Sequence, residues 1–241
     1  MASQIIALGG GGFSMDTPDN LLDRYILAQT GKEKAKVAFL GQASGDATSY
    51  HDKFHAAFEA MGQEHSHLAL FSPADGDPSG FQHTADIEGF LLSQDVIYVG
   101  GGNTKSMLAL WREWGIDIAL RKAAANGVIQ AGISAGAICW FAQGLTDSIY
   151  GQLSTLNCLG YLPGSATPHY DGEANRRPTY TSKVAAGAIQ PGYAICDFAA
   201  VHFIDGQLVR CVASREGAKV YHVTREGDTA HEEPLPMTLL T

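Results

Sequence analysis

The sequence predicts an α/β fold in which a mostly parallel sheet is covered by helices on both faces. Four short apolar runs, each followed by glycine, occur at residues 5–8, 37–40, 96–99 and 128–131. Continuous apolar runs of this length are typical of strands buried on both faces. Helical patterns separate the runs, and such alternation predicts parallel strand pairing. The chain has 241 residues, 45% of them hydrophobic, which suits a single domain over residues 1–241.

The helices are predicted from apolar side chains that recur at helical spacing. One helix is expected over residues 50–61, and two more over residues 104–125 with a break near Gly115. The side chains expected to face the sheet are Phe54, Ala57, Phe58 and Met61 in the first helix, and Leu108, Trp111 and Leu120 in the others.

The pattern changes after about residue 190 to shorter alternating runs at residues 200–204, 207–212 and 219–223. The Asp205-Gly206 pair between the first two runs is typical of a β-hairpin. We therefore expect an antiparallel C-terminal extension that closes the sheet.

Composition excludes several classes of protein. The formal charge is −9 and no stretch is strongly basic, which argues against a nucleic-acid partner. There is no 18-residue apolar run and no basic, apolar leader at the start, so we expect neither a membrane span nor a secretory signal. The four cysteines are far apart, as is typical of reduced thiols in a cytoplasmic protein.

The segment around Ser134 carries the strongest chemical signal. Residues 132–136 read Gly-Ile-Ser-Ala-Gly between an apolar strand and an apolar helical segment. G-x-S-x-G in this context is typical of a nucleophile elbow, a sharp turn that exposes a serine hydroxyl above the sheet. The amide of Ala135 would then donate to a developing oxyanion. The alternative is an ordinary glycine- and serine-rich turn that binds phosphate at a helix N-terminus.

A nucleophilic serine needs a general base and a group that orients the base. Of the histidines that follow Ser134, we favour His169, because it follows Pro168 at the end of an extended run, before a polar loop. The others are His202 and His222, which lie within strand patterns, and His231, which lies in a polar tail. The orienting acid stays open at this point among Asp147, Asp171, Glu173, Asp197 and Asp205.

The glycine-rich segments divide into two cases. Residues 100–104, Gly-Gly-Gly-Asn-Thr, follow a strand and offer a second oxyanion donor at Gly102 or Asn103, or simply a turn capped by Asn103 or Thr104. The glycines at 9–12 do not fit a dinucleotide fingerprint, because Ser14 or Met15 stands where its third glycine would be. They are interpreted as a turn beside the pocket.

We expect no cofactor and no metal, since the histidines lack H-E-x-x-H or comparable spacing.

Three motifs in this order resemble the peptidase E group, which consists of aspartyl dipeptidases of peptidase family S51 and has cyanophycinases as relatives. They are Val-Gly-Gly-Gly-Asn-Thr at 99–104, Gly-Ile-Ser-Ala-Gly-Ala at 132–137 and Pro-His-Tyr at 168–170. The resemblance runs from about residue 3 to about residue 225. It implies a three-layer αβα fold like that of class I glutamine amidotransferases, which is flavodoxin-like, with serine in place of their elbow cysteine.

The resemblance also implies roles for particular residues. Ser134 falls on the family's nucleophile and His169 on its histidine, while Asp197 falls on its third member, with Asp147 as the second choice. The family binds the substrate's aspartate side chain with an arginine after the histidine, a region that holds Arg176 and Arg177 here. Asn103 and Thr104 are the further residues that we expect to contact the substrate.

The sequence thus predicts a serine peptidase that hydrolyses short peptides, most of all dipeptides with N-terminal aspartate, and acts as a monomer or homodimer. The alternatives are a cyanophycinase-like or esterase-type serine hydrolase, and a non-catalytic small-molecule binding protein that retains the elbow.

Overall fold

The computed structural model describes residues 2–15, 19–71, 81–82 and 86–241, with backbone alone for residues 81–82. Among these residues there are seven α-helices and fifteen strands, and the strands form two sheets. The helices are α1 (Leu21–Ala28), α2 (Thr48–Ala60), α3 (Ile87–Leu92), α4 (Thr104–Trp114), α5 (Ile116–Ala125), α6 (Ala135–Ile138) and α7 (Arg176–Ala185).

The larger sheet has nine strands within the described chain. In spatial order they are β15 (Met237–Leu239), β12 (Gln207–Ala213), β11 (Ala199–Ile204), β1 (Gln4–Leu8), β6 (Ile129–Ile133), β5 (Val96–Val99), β2 (Lys36–Leu40), β3 (Glu64–Leu68) and β4 (Phe81–Gln82). The smaller sheet has six, in the order β14 (Thr229–Pro234), β13 (Val220–Glu226), β10 (Gly192–Ile195), β9 (Leu162–Thr167), β7 (Phe141–Ile149) and β8 (Gln152–Asn157).

The larger sheet has the predicted parallel core and an antiparallel extension. Strands β1, β6, β5, β2, β3 and β4 pair in parallel, and β11 and β12 continue the sheet in antiparallel pairing. The expected hairpin joins β11 to β12 through Asp205 and Gly206, both with positive φ, as such a turn requires. Because the carboxyl ends of β1, β5 and β6 meet at one edge, the glycine-rich segments after them lie together.

Alternate side chains of the parallel strands enter two different hydrophobic clusters. Ile6 and Leu8 pack in the cluster that contains α1 and α2, whereas Ile5 and Ala7 pack in the cluster that contains α3, α4 and α5. Helices therefore cover both faces, which is why these strands are apolar at every position.

The predicted helices are confirmed. Phe54 and Phe58 of α2 are buried, and α4 ends and α5 begins at Gly115, which has a φ of 68°. A left-handed residue at this position ends a helix, and glycine adopts that conformation without steric cost.

The six-stranded sheet is a correction to the prediction. Residues 219–223 were expected to extend the main sheet, but Val220 pairs with Ile195 of β10 and so belongs to the smaller sheet. The pattern gave no signal for this sheet because two of its strands are polar and half-exposed. Strand β8 reads QLSTLN, and β14 reads TAHEEP, with exposed and half-buried residues and no apolar face.

The smaller sheet packs on the larger one near β1 and β11. Phe141 of β7 and Tyr193 of β10 contact the ring of Phe203 of β11, at 5.8 and 5.3 Å between centroids. Helix α7 covers the opposite face of the smaller sheet with Tyr180 and Val184. This arrangement places the ends of β9 and β10 beside the end of β6.

No helix in the described part of the chain is long and apolar enough to cross a membrane.

Candidate active site

The turn at Ser134 has a strained backbone. Ser134 has φ 57° and ψ −110° between the end of β6 and the start of α6, a region that residues other than glycine rarely adopt. The two flanking glycines permit it: a Cβ on Gly132 would lie 2.3 Å from the oxygen of Gly136, and a Cβ on Gly136 would lie 2.2 Å from that of Val99. The G-x-S-x-G pattern is thus explained by close backbone approach at both glycines.

Ser134, His169 and Asp197 form one hydrogen-bonded chain. The Nε2 atom of His169 lies 2.9 Å from Ser134 Oγ, and its Nδ1 atom lies 2.6 Å from Asp197 Oδ1. A carboxylate at this distance accepts the Nδ1 proton, so the neutral ring presents the lone pair of Nε2 to the hydroxyl. The arrangement leaves the serine able to donate its proton to the imidazole.

His169 and Asp197 reach Ser134 from the smaller sheet. His169 follows β9 and Asp197 follows β10, and both segments are bonded to the end of β1. The His169 N–H donates to Gly9 O at 3.3 Å, and the N–H of Phe198 donates to Gly10 O at 3.0 Å. His169 and Phe198, like Ser134, have positive φ, which indicates that the surrounding structure fixes their conformation.

Two glycines enclose the Asp197 carboxylate. A Cβ on Gly10 would lie 1.9 Å from Asp197 Oδ1, and a Cβ on Gly172 would lie 2.2 Å from its Oδ2. The backbone N–H of Asp197 is held by the carboxylate of Asp171, at 2.9 Å. The sequence pattern predicted a turn beside the pocket for the glycines at 9–12, but it predicted no role for Gly10 or Gly172 at the carboxylate.

The N–H groups of the glycine-rich segment after β5 differ in their hydrogen bonding. The amide of Gly101 donates to the Tyr50 hydroxyl at 3.2 Å, and that of Asn103 donates to Ala43 O at 2.7 Å. Within the described residues the Gly102 N–H has no acceptor, and its φ of 133° favours glycine. The Ala135 N–H is the first of α6 and has no acceptor inside the helix. Gly102, rather than Asn103, is thus the residue whose amide can face a reacting carbonyl together with Ala135.

A cavity of about 230 Å³ opens beside Ser134 and is here called the charged cavity. Its lining residues are Gly102, Asn103, Ser134, Asp147, Ser148, His169, Glu173 and Arg176. Arg176 is 2% exposed, although it is charged, and it is held by Glu173 at 2.7 Å and by the oxygen of Leu145 at 3.0 Å. Asp147, at 3.6 Å from Arg176, is largely exposed. The cavity therefore combines one buried cation with two carboxylates that reach solvent.

Of the remaining candidate substrate-binding residues, one lines the charged cavity and two do not. Arg177 is half-exposed, pairs with Glu232 at 3.2 Å and does not line the cavity. Thr104 is buried against Thr146 and does not line it either, because the first residue of α4 turns its side chain into the core. Asn103 lines the cavity, but its side chain caps α4 through the N–H of Ser106.

The alternative acids and bases pair with other groups. Asp147 contacts Arg176, and Asp205 accepts a bond from Ser3 N in its hairpin turn. His202 is buried on β11 between the Tyr25 hydroxyl and the Gln4 side chain.

The cysteines are unpaired in the structure, and Cys196 lies directly before Asp197. Burial raises the pKa of its thiol to about 12, so the thiol is protonated at neutral pH and is a poor nucleophile. Among the described residues, no three histidine, cysteine or carboxylate side chains are grouped so as to hold a metal ion.

Comparison with known proteins gives consistent matches. The sequence profile of peptidase family S51 matches residues 5–211. The chain is 51% identical over 238 residues to the uncharacterized peptidase YgaJ of Bacillus subtilis (strain 168), covering 98% of this chain and 99% of that protein.

Solved structures with a similar fold include a peptidase from an acI-B1 actinobacterium, with a TM-score of 0.67 at 15% identity over 98% of this chain and 95% of that one. A putative peptidase E protein from Listeria monocytogenes EGD-e gives a TM-score of 0.60 at 19% identity, over 87% and 98% of the two chains. At these identities the likeness concerns the fold.

Proposed function

Since the chain belongs to peptidase family S51, and is therefore a peptidase, we propose that it cleaves short peptides with Ser134 as nucleophile, His169 as general base and Asp197 as the orienting acid. The observation that carries this proposal is the hydrogen-bonded chain from Ser134 Oγ through His169 to Asp197, at 2.9 and 2.6 Å. The strained elbow exposes the hydroxyl to a cavity that has room for a small substrate.

In the first half of the reaction, Ser134 Oγ attacks the scissile carbonyl carbon while His169 Nε2 takes the hydroxyl proton. The carbonyl oxygen gains the negative charge, and the N–H groups of Gly102 and Ala135 donate to it. His169 then gives its proton to the amide nitrogen, the C–N bond breaks, and the amine leaves. An ester between Ser134 and the acyl group remains.

In the second half, water repeats the attack on that ester. His169 takes a proton from the water, the second tetrahedral intermediate uses the same two N–H groups, and the proton returns to Ser134 Oγ as the acid product leaves. Asp197 keeps its negative charge throughout and stabilises the imidazolium that forms in each half.

The charged cavity supports a substrate whose first residue is aspartate. Arg176 would bind the side-chain carboxylate, because a buried guanidinium makes strong paired contacts with planar anions. Asp147 and Glu173 would bind the free α-ammonium group. Such a residue carries one ammonium and one side-chain carboxylate, and the cavity offers the opposite charge to each.

Comparing Arg176→Gln with Arg177→Gln tests this specificity, since Arg177 lies outside the cavity. The kcat/KM of Arg176→Gln for Asp-Leu should fall by about 30-fold or more, the effect of removing one partner of a buried charge pair. Turnover of Ala-Leu should change much less, which separates specificity from damage to the fold. Arg177→Gln should keep the wild-type preference. If Arg176→Gln kept it as well, another group would select the first residue.

The same measurements separate the alternatives. A β-aspartyl-arginine dipeptide tests cyanophycinase-like cleavage, and a simple ester tests esterase activity. A fluorophosphonate probe labels Ser134 only if the serine is activated, which distinguishes an enzyme from a binding protein.

We further propose the location, partners and oligomeric state that the sequence alone predicted. The protein would act in the cytoplasm on small peptides, as a monomer or homodimer, with neither nucleic acid nor membrane as a partner. Its layering would be that of class I glutamine amidotransferases.

The protein would need no metal, so its activity should survive EDTA. Loss of activity on chelation, restored by zinc, would contradict the mechanism.

A further inference from the structure

A second cavity, of about 260 Å³, opens beside the same reacting groups and is here called the apolar cavity. It shares Gly102, Ser134 and His169 with the charged cavity. Its other lining residues are Ser14, Met15, Tyr50, Gly101 and Ile133. Among these described residues none carries a charge, whereas the charged cavity has Asp147, Glu173 and Arg176. Among the residues that the structure describes, the charged side chains beside Ser134 therefore line the charged cavity and not the apolar cavity.

The walls of the apolar cavity are of two kinds. Tyr50 is fixed: its ring packs on Phe13 and Phe39 at 5.4 and 5.0 Å, and its hydroxyl accepts the Gly101 N–H. Burial raises the pKa of Tyr50, so the hydroxyl stays neutral. Met15 is 43% exposed, and its sulfur accepts the Gly11 N–H at 3.2 Å. Its flexible, unbranched side chain can still adjust its terminal methyl group to a bound group. Such a cavity suits apolar groups of varied shape.

We propose that the apolar cavity binds the side chain of the residue whose amine leaves, and that the peptidase prefers an apolar residue at that second position of its substrate. This inference rests on the proposed function. The two parts of a peptide on either side of the scissile bond must occupy the two cavities that meet at Ser134. The charged cavity matches the first residue, which leaves the apolar cavity for the second.

Charge decides the preference within this cavity. A charged second side chain would lose water without finding a counter-ion among the described lining residues, and such burial is unfavourable. An aliphatic or aromatic side chain would instead gain by leaving water. We expect kcat/KM for Leu or Phe in the second position to exceed that for Asp or Lys by roughly 10- to 200-fold, the range found for apolar pockets.

The test measures kcat/KM of the wild-type protein for Xaa-Leu, Xaa-Phe, Xaa-Asp and Xaa-Lys. The first residue, Xaa, is kept constant at the one that the enzyme cleaves fastest. The second-position preference is then measured independently of the acidic preference at the first position, which Asp-Leu against Ala-Leu reports. Equal rates for the four peptides would overturn the inference and leave the proposed catalytic mechanism in place.

Three variants locate the preference in the apolar cavity. Met15→Asp should lower kcat/KM for the Leu and Phe peptides by about tenfold or more and improve the Lys peptide relative to them. Met15→Leu should keep the wild-type order. The control is Ile118→Asp, the same change of character at a 60% exposed position on α5, and it should leave all four rates unchanged.

If Met15→Asp kept the wild-type order of the four peptides, the second side chain would bind elsewhere, and the proposal would be wrong. If Ser134→Ala retained full activity toward them, the proposed mechanism itself would fail, which is a different result.

Discussion

At the scale of single residues, the position of the Asp197 carboxylate depends on two glycines. Its carboxylate lies between Gly10 and Gly172, so it has no room to move away from an added methyl group on either side. We expect Gly10→Ala to displace the carboxylate from His169 Nδ1 and to lower kcat toward the loss caused by Asp197→Asn, about 10⁴-fold in a comparable serine triad. The measurement is kcat for both single variants and the double variant.

The control for Gly10→Ala is Gly31→Ala, where a Cβ would meet nothing within 4 Å. The two substitutions at the site should be non-additive, because both remove the same contact. A Gly10→Ala variant with wild-type kcat would show that the carboxylate tolerates displacement.

The serine and the histidine are expected to act as one unit. Ser134→Ala and His169→Ala should each lower kcat by about 10⁵-fold or more, and the double variant should be no slower than the slower single variant. Ser66→Ala on β3, away from the site, is the matched control for loss of a hydroxyl. A double variant with multiplied losses would contradict His169 as the base for Ser134.

Much of the site could be identified in the sequence before the structure. The G-x-S-x-G pattern and the Pro-His pair point to Ser134 and His169, which the structure joins by a hydrogen bond. Asp197 needed the family resemblance, because its proximity to His169 depends on β9 and β10 being parallel neighbours. Arg176 and Arg177 could not be separated in the sequence, since only the direction of α7 decides which one is buried.

At the scale of elements, the β6–α6 turn depends on how closely α6 approaches β5. Gly136→Ala would place a Cβ 2.2 Å from Val99 O, which must push α6 and the Ala135 N–H away from the sheet. We expect a loss of about 1–3 kcal/mol in the free energy of unfolding, together with loss of most of the activity. Urea unfolding and kcat/KM measure the two effects.

Gly62→Ala is the control for this prediction. Gly62 has a positive φ but open space around its Cβ position. The substitution should therefore lower the free energy of unfolding by about 1–2 kcal/mol and leave the activity unchanged. If the two variants were equally active, the position of α6 would not matter for the reaction.

The elements that the sequence predicted are those that are apolar throughout or strictly periodic. The parallel strands and helices α2, α4 and α5 are of this kind, and Gly115 marked the boundary between the last two. The smaller sheet was missed because its outer strands present half-exposed polar residues on both faces. Their pairing depends on partners distant in the chain, which local patterns do not reveal.

At the scale of the whole molecule, His202 makes stability depend on pH. It lies between α1 and β1, where its Nδ1 accepts from the Tyr25 hydroxyl and its Nε2 donates to the Gln4 side chain. Burial, and then the nearby positive charge of Arg210, lower the pKa of His202 to about 4. In the unfolded chain the pKa of histidine is about 6.5.

Between these two values the unfolded chain binds a proton that the folded protein excludes. This contribution to stability is therefore present above about pH 6.5 and is lost as the pH falls toward 4. We expect His202 to account for a decrease of about 2 kcal/mol between pH 7 and pH 4.5. His202→Gln should remove that part of the decrease, whereas His231→Gln, at an exposed position, should not. Equal pH dependence of the wild type and His202→Gln would contradict this assignment.

The division of the site between two sheets also has a consequence for biosynthesis. Ser134 follows β6 of the larger sheet, whereas His169 and Asp197 follow strands of the smaller sheet, and β11 must return to pair with β1 after them. A ribosome that adds about 5–20 residues per second makes Ser134 several seconds before Asp197, the proposed orienting acid. The nascent chain would therefore carry an inert serine, and proteolytic activity would begin only once both sheets were assembled.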